Sequence, residues 1–316
     1  MALTADMEPT NRPSFFLVGA AKCGTTTLAG WLEAHPDVFL SPVKEPHFFG
    51  SDIDPSLFSS AYLAQTPPLQ EEYFQKRPLK KVHLAFVRDQ EKYLQLFADA
   101  LPHQVLGECS TGYFFSQRAP DEIAAFSPDA KIIIVLRDPV QRAFSHYLMA
   151  LRYGYVSGSF ADEWERDRRR QPKGWGISEN FYELGLYAEA LERFLAVFPK
   201  KNILVLSLDD LMHQPLKTAH RVFSHLGVSS LPSLPDVPQF AARPPRFPRL
   251  NRWLHASGAA QAARRFIPTA VVNALQLLLQ TVKKPDLPTE IAQKIRGEYA
   301  DDQARTHRIL LSLPQK

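Results

Sequence analysis

Residues 14–35 constrain this chain more than any other stretch. An apolar run at 14–18 leads into Gly19-Ala-Ala-Lys-Cys-Gly-Thr-Thr-Thr27, and a helical pattern begins there. A strand that ends in a glycine-bearing loop and opens into a helix turns loop N–H groups and the positive end of a helix dipole toward an anion. Gly19 and Gly24 keep the spacing of the phosphate loop G-x-x-x-x-G-K-[ST]. Thr25 occupies the lysine position, however, and the lysine sits upstream at Lys22. In a kinase or NTPase that lysine serves the β/γ-phosphates and the Ser/Thr serves Mg²⁺. This loop is therefore poorly matched to ATP hydrolysis and still matched to a phosphate-like group.

Of the 316 residues, 45% are hydrophobic and 22% charged, with a net charge of +4. That is ample for a large core, and residues 14–316 read as one domain behind a loose polar arm at 1–13. The basic residues are spread along the chain without a nucleic-acid motif, so no nucleic-acid partner is expected. The mild surplus fits a small anionic ligand as well as no ligand at all. Cys23 and Cys109 are the only cysteines, too few for a disulfide framework, and read as reduced thiols. The N-terminus lacks a basic segment followed by an apolar one, and no window of about 18 residues is uninterruptedly apolar. A soluble, cytoplasmic protein without a transmembrane segment is expected. No Cys/His spacing matches a metal site.

Strand and helix signals alternate from the first loop onward. Residues 25–35 read as a helix with Leu28, Trp31 and Leu32 on one face, closed by Pro36. Short strands are expected at 38–40 and 105–109, with a helix at 90–100. The run Lys131-Ile-Ile-Ile-Val-Leu136 is near-continuously β-branched, as in a strand buried on both faces of a parallel sheet. Asp138-Pro139 then starts a helix that runs through Leu151. A helix at 184–198, a strand at 202–207 and a helix at 215–226 follow. Residues 41–80, rich in proline and aromatics, read as a segment covering a site. Residues 157–180, polar and glycine-bearing, read as a mobile crossing segment. Residues 231–250 form a Pro/Arg-rich loop, and C-terminal helices near 264–282 and 288–312 close the chain. The alternation predicts an α/β protein with a central parallel sheet flanked by helices. Ligands of such sheets bind beyond the strands' carboxyl ends, where both Lys22 and Arg137 fall.

Three segments together resemble the sulfotransferases that use 3′-phosphoadenylyl sulfate (PAPS). Phe16-Leu-Val-Gly-Ala-Ala-Lys-Cys-Gly-Thr-Thr-Thr-Leu28 resembles the family's 5′-phosphosulfate loop. Lys131-Ile-Ile-Ile-Val-Leu-Arg-Asp-Pro-Val-Gln-Arg-Ala-Phe-Ser-His-Tyr147 resembles its 3′-phosphate strand and helix. His35-Pro-Asp-Val38 with Lys44-Glu-Pro-His-Phe-Phe49 is similar to the branch of heparan-type and bacterial enzymes. The resemblance implies a P-loop NTPase-like three-layer fold. It also implies in-line transfer of a sulfuryl group from PAPS to a hydroxyl or amine, with no metal required.

It implies roles as well. Lys22 would reach the sulfonyl group and neutralise the departing phosphate. Cys23, Gly24, Thr25, Thr26 and Thr27 would bind the 5′-phosphate. Arg137 and Ser145, about two helical turns apart, would clamp the 3′-phosphate. Arg249, in a basic Pro-rich stretch, would close the cofactor site. Glu45 is the expected base for the acceptor's proton, its pKa raised by burial toward working pH, and His47 is its rival. Arg142 reads as a surface residue, Lys44 as a solvated lysine and Tyr187 as packing. Cys23, beside a helix N-terminus, is a candidate for an unusually acidic thiol.

Glu108-Cys-Ser-Thr-Gly-Tyr-Phe114 departs from the family segment Glu-Lys-Ser/Thr-Pro-x-Tyr-Phe at Cys109 and Thr111. Loss of that lysine speaks against a heavily anionic glycan. The acceptor otherwise stays open among a small molecule, a glycan, a lipid-like alcohol and a carrier-tethered hydroxyl. Residues 264–284 carry one apolar face with basic flanks, which suits a core or lid helix, or else a peripheral membrane contact. Two rival classes remain: a P-loop kinase or NTPase that binds Mg²⁺-ATP, and a non-catalytic nucleotide-binding protein.

Overall fold

The apolar strand segments pair with one another rather than with polar neighbours, and this builds the sheet. In the computed structural model, which describes residues 12–66, 68–237, 244–257, 281 and 285–314, five of them form one parallel sheet. They are β1 (Phe15–Gly19), β2 (Val38–Leu40), β5 (Val105–Cys109), β6 (Lys131–Leu136) and β7 (Ile203–Ser207), in the order β2-β5-β1-β6-β7. β1 is buried along its whole length and β6 from Ile132 to Leu136, as their unbroken apolar runs require. Two further short strands, β3 (Val43–Lys44) and β4 (Val82–His83), pair in parallel apart from the sheet.

Helices cover the sheet. α1 (Thr25–Glu33) follows β1, α2 (Pro139–Arg152) follows β6, and α4 (Tyr187–Val197) and α5 (Pro215–Leu226) flank β7 in the chain. The inner faces of α1, α4 and α5 join the strands in one apolar core. A second core gathers α2, α3 (Phe160–Arg169) and α6 (Thr289–Glu298) around Phe144, Trp164, Phe181 and Tyr299. α6 and α7 (Ala300–Leu311) replace the single helix expected at 288–312. They part at Tyr299, whose hydroxyl donates to the carbonyls of Phe181 (3.1 Å) and Tyr182 (2.9 Å).

Other expectations change in detail. The helix expected at 90–100 is shorter, Gln90–Gln95. Residues 157–180 are no loose crossing. Ser159 caps α3, accepting from Asp162 N–H and donating to the Asp162 carboxylate, while Phe160 and Trp164 bury one face. Arg142 is not on the surface. It is wholly buried in α2 and donates to the Phe181 carbonyl, and two of its guanidinium nitrogens lack a partner among the described residues. Residues 1–11, most of the expected 264–282 helix and residues 238–243 of the expected Pro/Arg-rich loop lie outside the described residues. Among the described residues, no helix is long and apolar enough to cross a membrane.

Candidate active site

The carboxyl ends of β1 and β6 open into one cavity of about 1360 Å³. That exceeds the roughly 300–1,000 Å³ of a single-ligand pocket. The loop after β1 forms its floor. Gly24 caps α1 at φ +89°, a left-handed conformation that favours glycine, and a Cβ there would lie 2.6 Å from Leu208 Cδ1. α1 carries no acidic residue in its first turn and no side-chain cap, so the helix dipole at this end is unopposed.

Three cations surround that helix end. Lys22 lies against Met149, Nζ 3.4 Å from Sδ. Burial, then the charges of Lys44 and Arg137, outweigh Glu45 and bring its pKa down to about 8. Arg137 donates to the Lys22 carbonyl at 3.4 Å. Lys44 is not a freely solvated lysine: its Nζ donates to Thr26 Oγ1 at 2.8 Å and stands 3.9 Å from Glu45 Oε1. Tyr187 ties the two strand-end loops together, its hydroxyl donating to the Arg137 carbonyl (3.0 Å) and lying 3.7 Å from Cys23 Sγ.

Glu45 lines the cavity beside this cluster. Its N–H donates to the Cys109 carbonyl at 2.7 Å, and its Oε2 accepts from Thr111 Oγ1 at 3.0 Å. Burial alone would raise its pKa. Lys44, His47 and His83, with the Thr111 hydrogen bond, prevail and hold it below the ordinary carboxylate value. The expected upward shift is therefore reversed, because Lys44 is a neighbour and not a solvent lysine. His47 sits behind Glu45, fully buried, with Nε2 3.8 Å from Glu45 Oε2 and Nδ1 2.9 Å from the Glu45 carbonyl oxygen. Burial lowers its pKa, and its ring stacks on Phe86 instead of lining the cavity.

Of the expected site residues, the cavity brings together Lys22, Gly24, Thr25, Thr26, Thr27, Glu45, Arg137 and Ser145. Cys23, His47 and Arg249 do not line it. Cys23 is buried, and burial pushes its thiol up to about 11, so it is not an acidic cysteine. Arg249 is exposed on the Pro248–Ala256 helix, which packs on the end of α2 through Asn251, a donor to the Leu151 and Arg152 carbonyls. Sequence reasoning missed His146 and Glu179, and the aromatic wall of Tyr62, Tyr155 and Trp175. The Ser159-x-x-Asp162 cap was a readable sign of α3, but nothing local marks Glu179.

Backbone conformation picks out the same place. Five non-glycine residues have positive φ among the described residues: Lys22, Glu45, His47, Leu84 and Asn180. Four line the cavity and His47 lies directly behind it. Such conformations cost energy and persist where the surroundings enforce them, characteristically at functional sites. Among the described residues, no group of three or more His, Cys, Asp or Glu could hold a metal ion.

Comparisons with known proteins bear on the family and the fold. The model of the Sulfotransferase family matches residues 13–232. Human heparan sulfate glucosamine 3-O-sulfotransferase 3A1 is 29% identical over 234 residues, covering 73% of this chain and 48% of the relative. Mouse carbohydrate sulfotransferase 15 is 28% identical over 262 residues, covering 69% of this chain and 44% of the relative. The chain thus spans about half the length of these curated relatives. A solved sulfotransferase from Alicyclobacillus acidocaldarius is 25% identical with a TM-score of 0.64, covering 93% of this chain and 94% of its own. With a parallel sheet of this order and a family match over most of its length, the chain belongs to the sulfotransferase family.

Proposed function

We propose that this chain transfers the sulfuryl group of PAPS to an acceptor hydroxyl or amine. The observation that carries this is the cation cluster of Lys22, Lys44 and Arg137 around the uncapped N-terminus of α1. Lys22 is buried there among like charges, which lower its pKa further. Such a cluster is what a multiply charged anion would stabilise. The residues fit the donor: loop N–H groups and Thr25–Thr27 for the 5′-phosphosulfate, Arg137 and Ser145 for the 3′-phosphate. Bound PAPS would supply the sulfuryl group and leave as adenosine 3′,5′-bisphosphate (PAP).

The protein's part is alignment and charge. Sulfuryl transfer, like phosphoryl transfer, leaves the protein little covalent work. Lys22 places positive charge where the leaving phosphate develops its negative charge. Glu45, kept ionised by Lys44, accepts the acceptor's proton. His47 holds the Glu45 backbone carbonyl and backs its carboxylate, which makes it a positioning residue here and not the base. The relatives' names carry heparan sulfate glucosamine and carbohydrate acceptors. A carbohydrate hydroxyl is thus one candidate, beside small-molecule, lipid-like and carrier-tethered hydroxyls. The family match gives the kinase and NTPase readings no support.

Calorimetry tests the donor site. PAP should bind at least about tenfold tighter than AMP, the worth of one charge-assisted phosphate contact, and Arg137→Ala should erase that difference. Equal affinity for PAP and AMP in the unsubstituted chain would refute the assignment.

A further inference from the structure

Glu179 occupies the same cavity and has no part in donor binding or proton transfer. Among the described residues its carboxylate receives no hydrogen bond. His146 Nε2 stands 3.6 Å from its Oε2, and both residues line the cavity. His146 is itself buried and lacks a partner at Nδ1. Burial, with Asp167 and Glu163 nearby and Arg170 opposing them, raises the Glu179 pKa to about 8. The backbone here is pinned. Asp167 of α3 accepts from the N–H groups of Glu179 and Asn180 at 3.1 Å each and of Phe181 at 2.8 Å.

An aromatic wall joins Glu179 to Glu45. Trp175 Nε1 donates to the Tyr62 hydroxyl at 2.9 Å, and the Tyr62 and Tyr155 rings stand 6.5 Å apart. Tyr62 lies within the field of both carboxylates. The lysines and arginine that line the cavity, Lys22, Lys44 and Arg137, cluster around the α1 loop instead. The Glu179 carboxyl accepts no hydrogen bond from the described residues and Arg170 offsets its burial only in part, so an ammonium group set beside it and the aromatic faces would draw off its proton and pair with the carboxylate. The ion pair offsets the carboxylate's desolvation, and the rings add cation–π attraction. A polyanionic glycan would meet the wrong sign there.

We propose that the acceptor is a hydroxyl compound carrying a cationic nitrogen, its ammonium paired with Glu179 beside the Tyr62–Tyr155 wall while its hydroxyl meets Glu45. This rests on the sulfuryl-transfer function. The test uses the full chain saturated with PAP and two probes of one body, tyramine and 4-ethylphenol, which differ by the ammonium. NMR titration should give tyramine a dissociation constant about tenfold lower, the size of one charge-assisted contact. Glu179→Gln should bring tyramine to parity with 4-ethylphenol while PAP still binds, and Glu179→Asp should restore part of the preference. Equal affinities in the unsubstituted chain, no binding by either probe, or a preference that survives Glu179→Gln overturns the proposal. Tighter binding of an N-sulfated heparan oligosaccharide does so too. Calorimetry with PAP on the same sample keeps the two claims apart. PAP binding without an amine preference sinks the acceptor class alone, whereas failure to bind PAP sinks both.

Discussion

Glu45 and Glu179 face one cavity, both are largely withdrawn from water, and their acidities are driven in opposite directions. Burial penalises the charged form of each. At Glu45 it is outweighed by Lys44, His47, His83 and the Thr111 hydroxyl, and the carboxyl stays ionised. At Glu179 the nearby carboxylates of Asp167 and Glu163 add to burial, and the pKa rises to about 8. The difference shows that burial alone does not assign a role to a carboxylate. The placement of a few cations makes one end suited to taking a proton and the other to receiving a cation.

The largest expected effect is at the ionised end. Glu45→Gln should lower sulfuryl transfer from labelled PAPS by about 10²–10⁴-fold, the usual worth of a general base, with PAP affinity near normal. Undiminished turnover would remove Glu45 from the chemistry. Next comes Lys22→Ala, expected to cost about 10²–10³-fold in turnover, as losing one transition-state charge contact does. A loss confined to KM would show that Lys22 only binds.

A pH titration sharpens the same contrast. The Lys22 pKa is lowered from 10.5 to about 8 in the ligand-free protein, and a bound anion raises it again. PAP binding therefore takes up a proton above pH 8. Its affinity should fall as pH climbs through 8, by up to about tenfold per unit, and Lys22→Ala should flatten the curve. A flat profile in the unsubstituted chain would contradict the cation cluster. The smallest effect belongs to the far end. Asp167→Ala removes the acceptor of three backbone N–H groups and should cost at least about 1–3 kcal/mol of stability, the cost of one unsatisfied buried group, read as a lowered Tm. An unchanged Tm would mean that Asp167 does not pin the 179–181 backbone.

What the sequence made legible divides along the same line. β6 was readable from its β-branched run, and Lys22 and Arg137 from their places directly after strands. These are local signals, and they delivered the cationic end. Glu179 was not readable because its position depends on Asp167, twelve residues earlier on a helix that the polar composition of 157–180 concealed. Arg142 misled for a related reason: α2 is buried on nearly every side, so no polar face marks where an arginine should lie. Cys23 misled because the expected helix-dipole effect is smaller than the burial of its side chain. Lys44 looked solvated because its partners, Thr26 and Glu45, meet it only in the folded chain.

The two carboxyls can be followed directly by carbon NMR in a chain labelled at the glutamate carboxyl carbons, with Glu45→Gln and Glu179→Gln assigning the signals. One signal should titrate below the ordinary 4.5 and the other near 8. Two carboxyls titrating together, or in the opposite order, would contradict the division of the cavity into an anion-binding end and a cation-binding end.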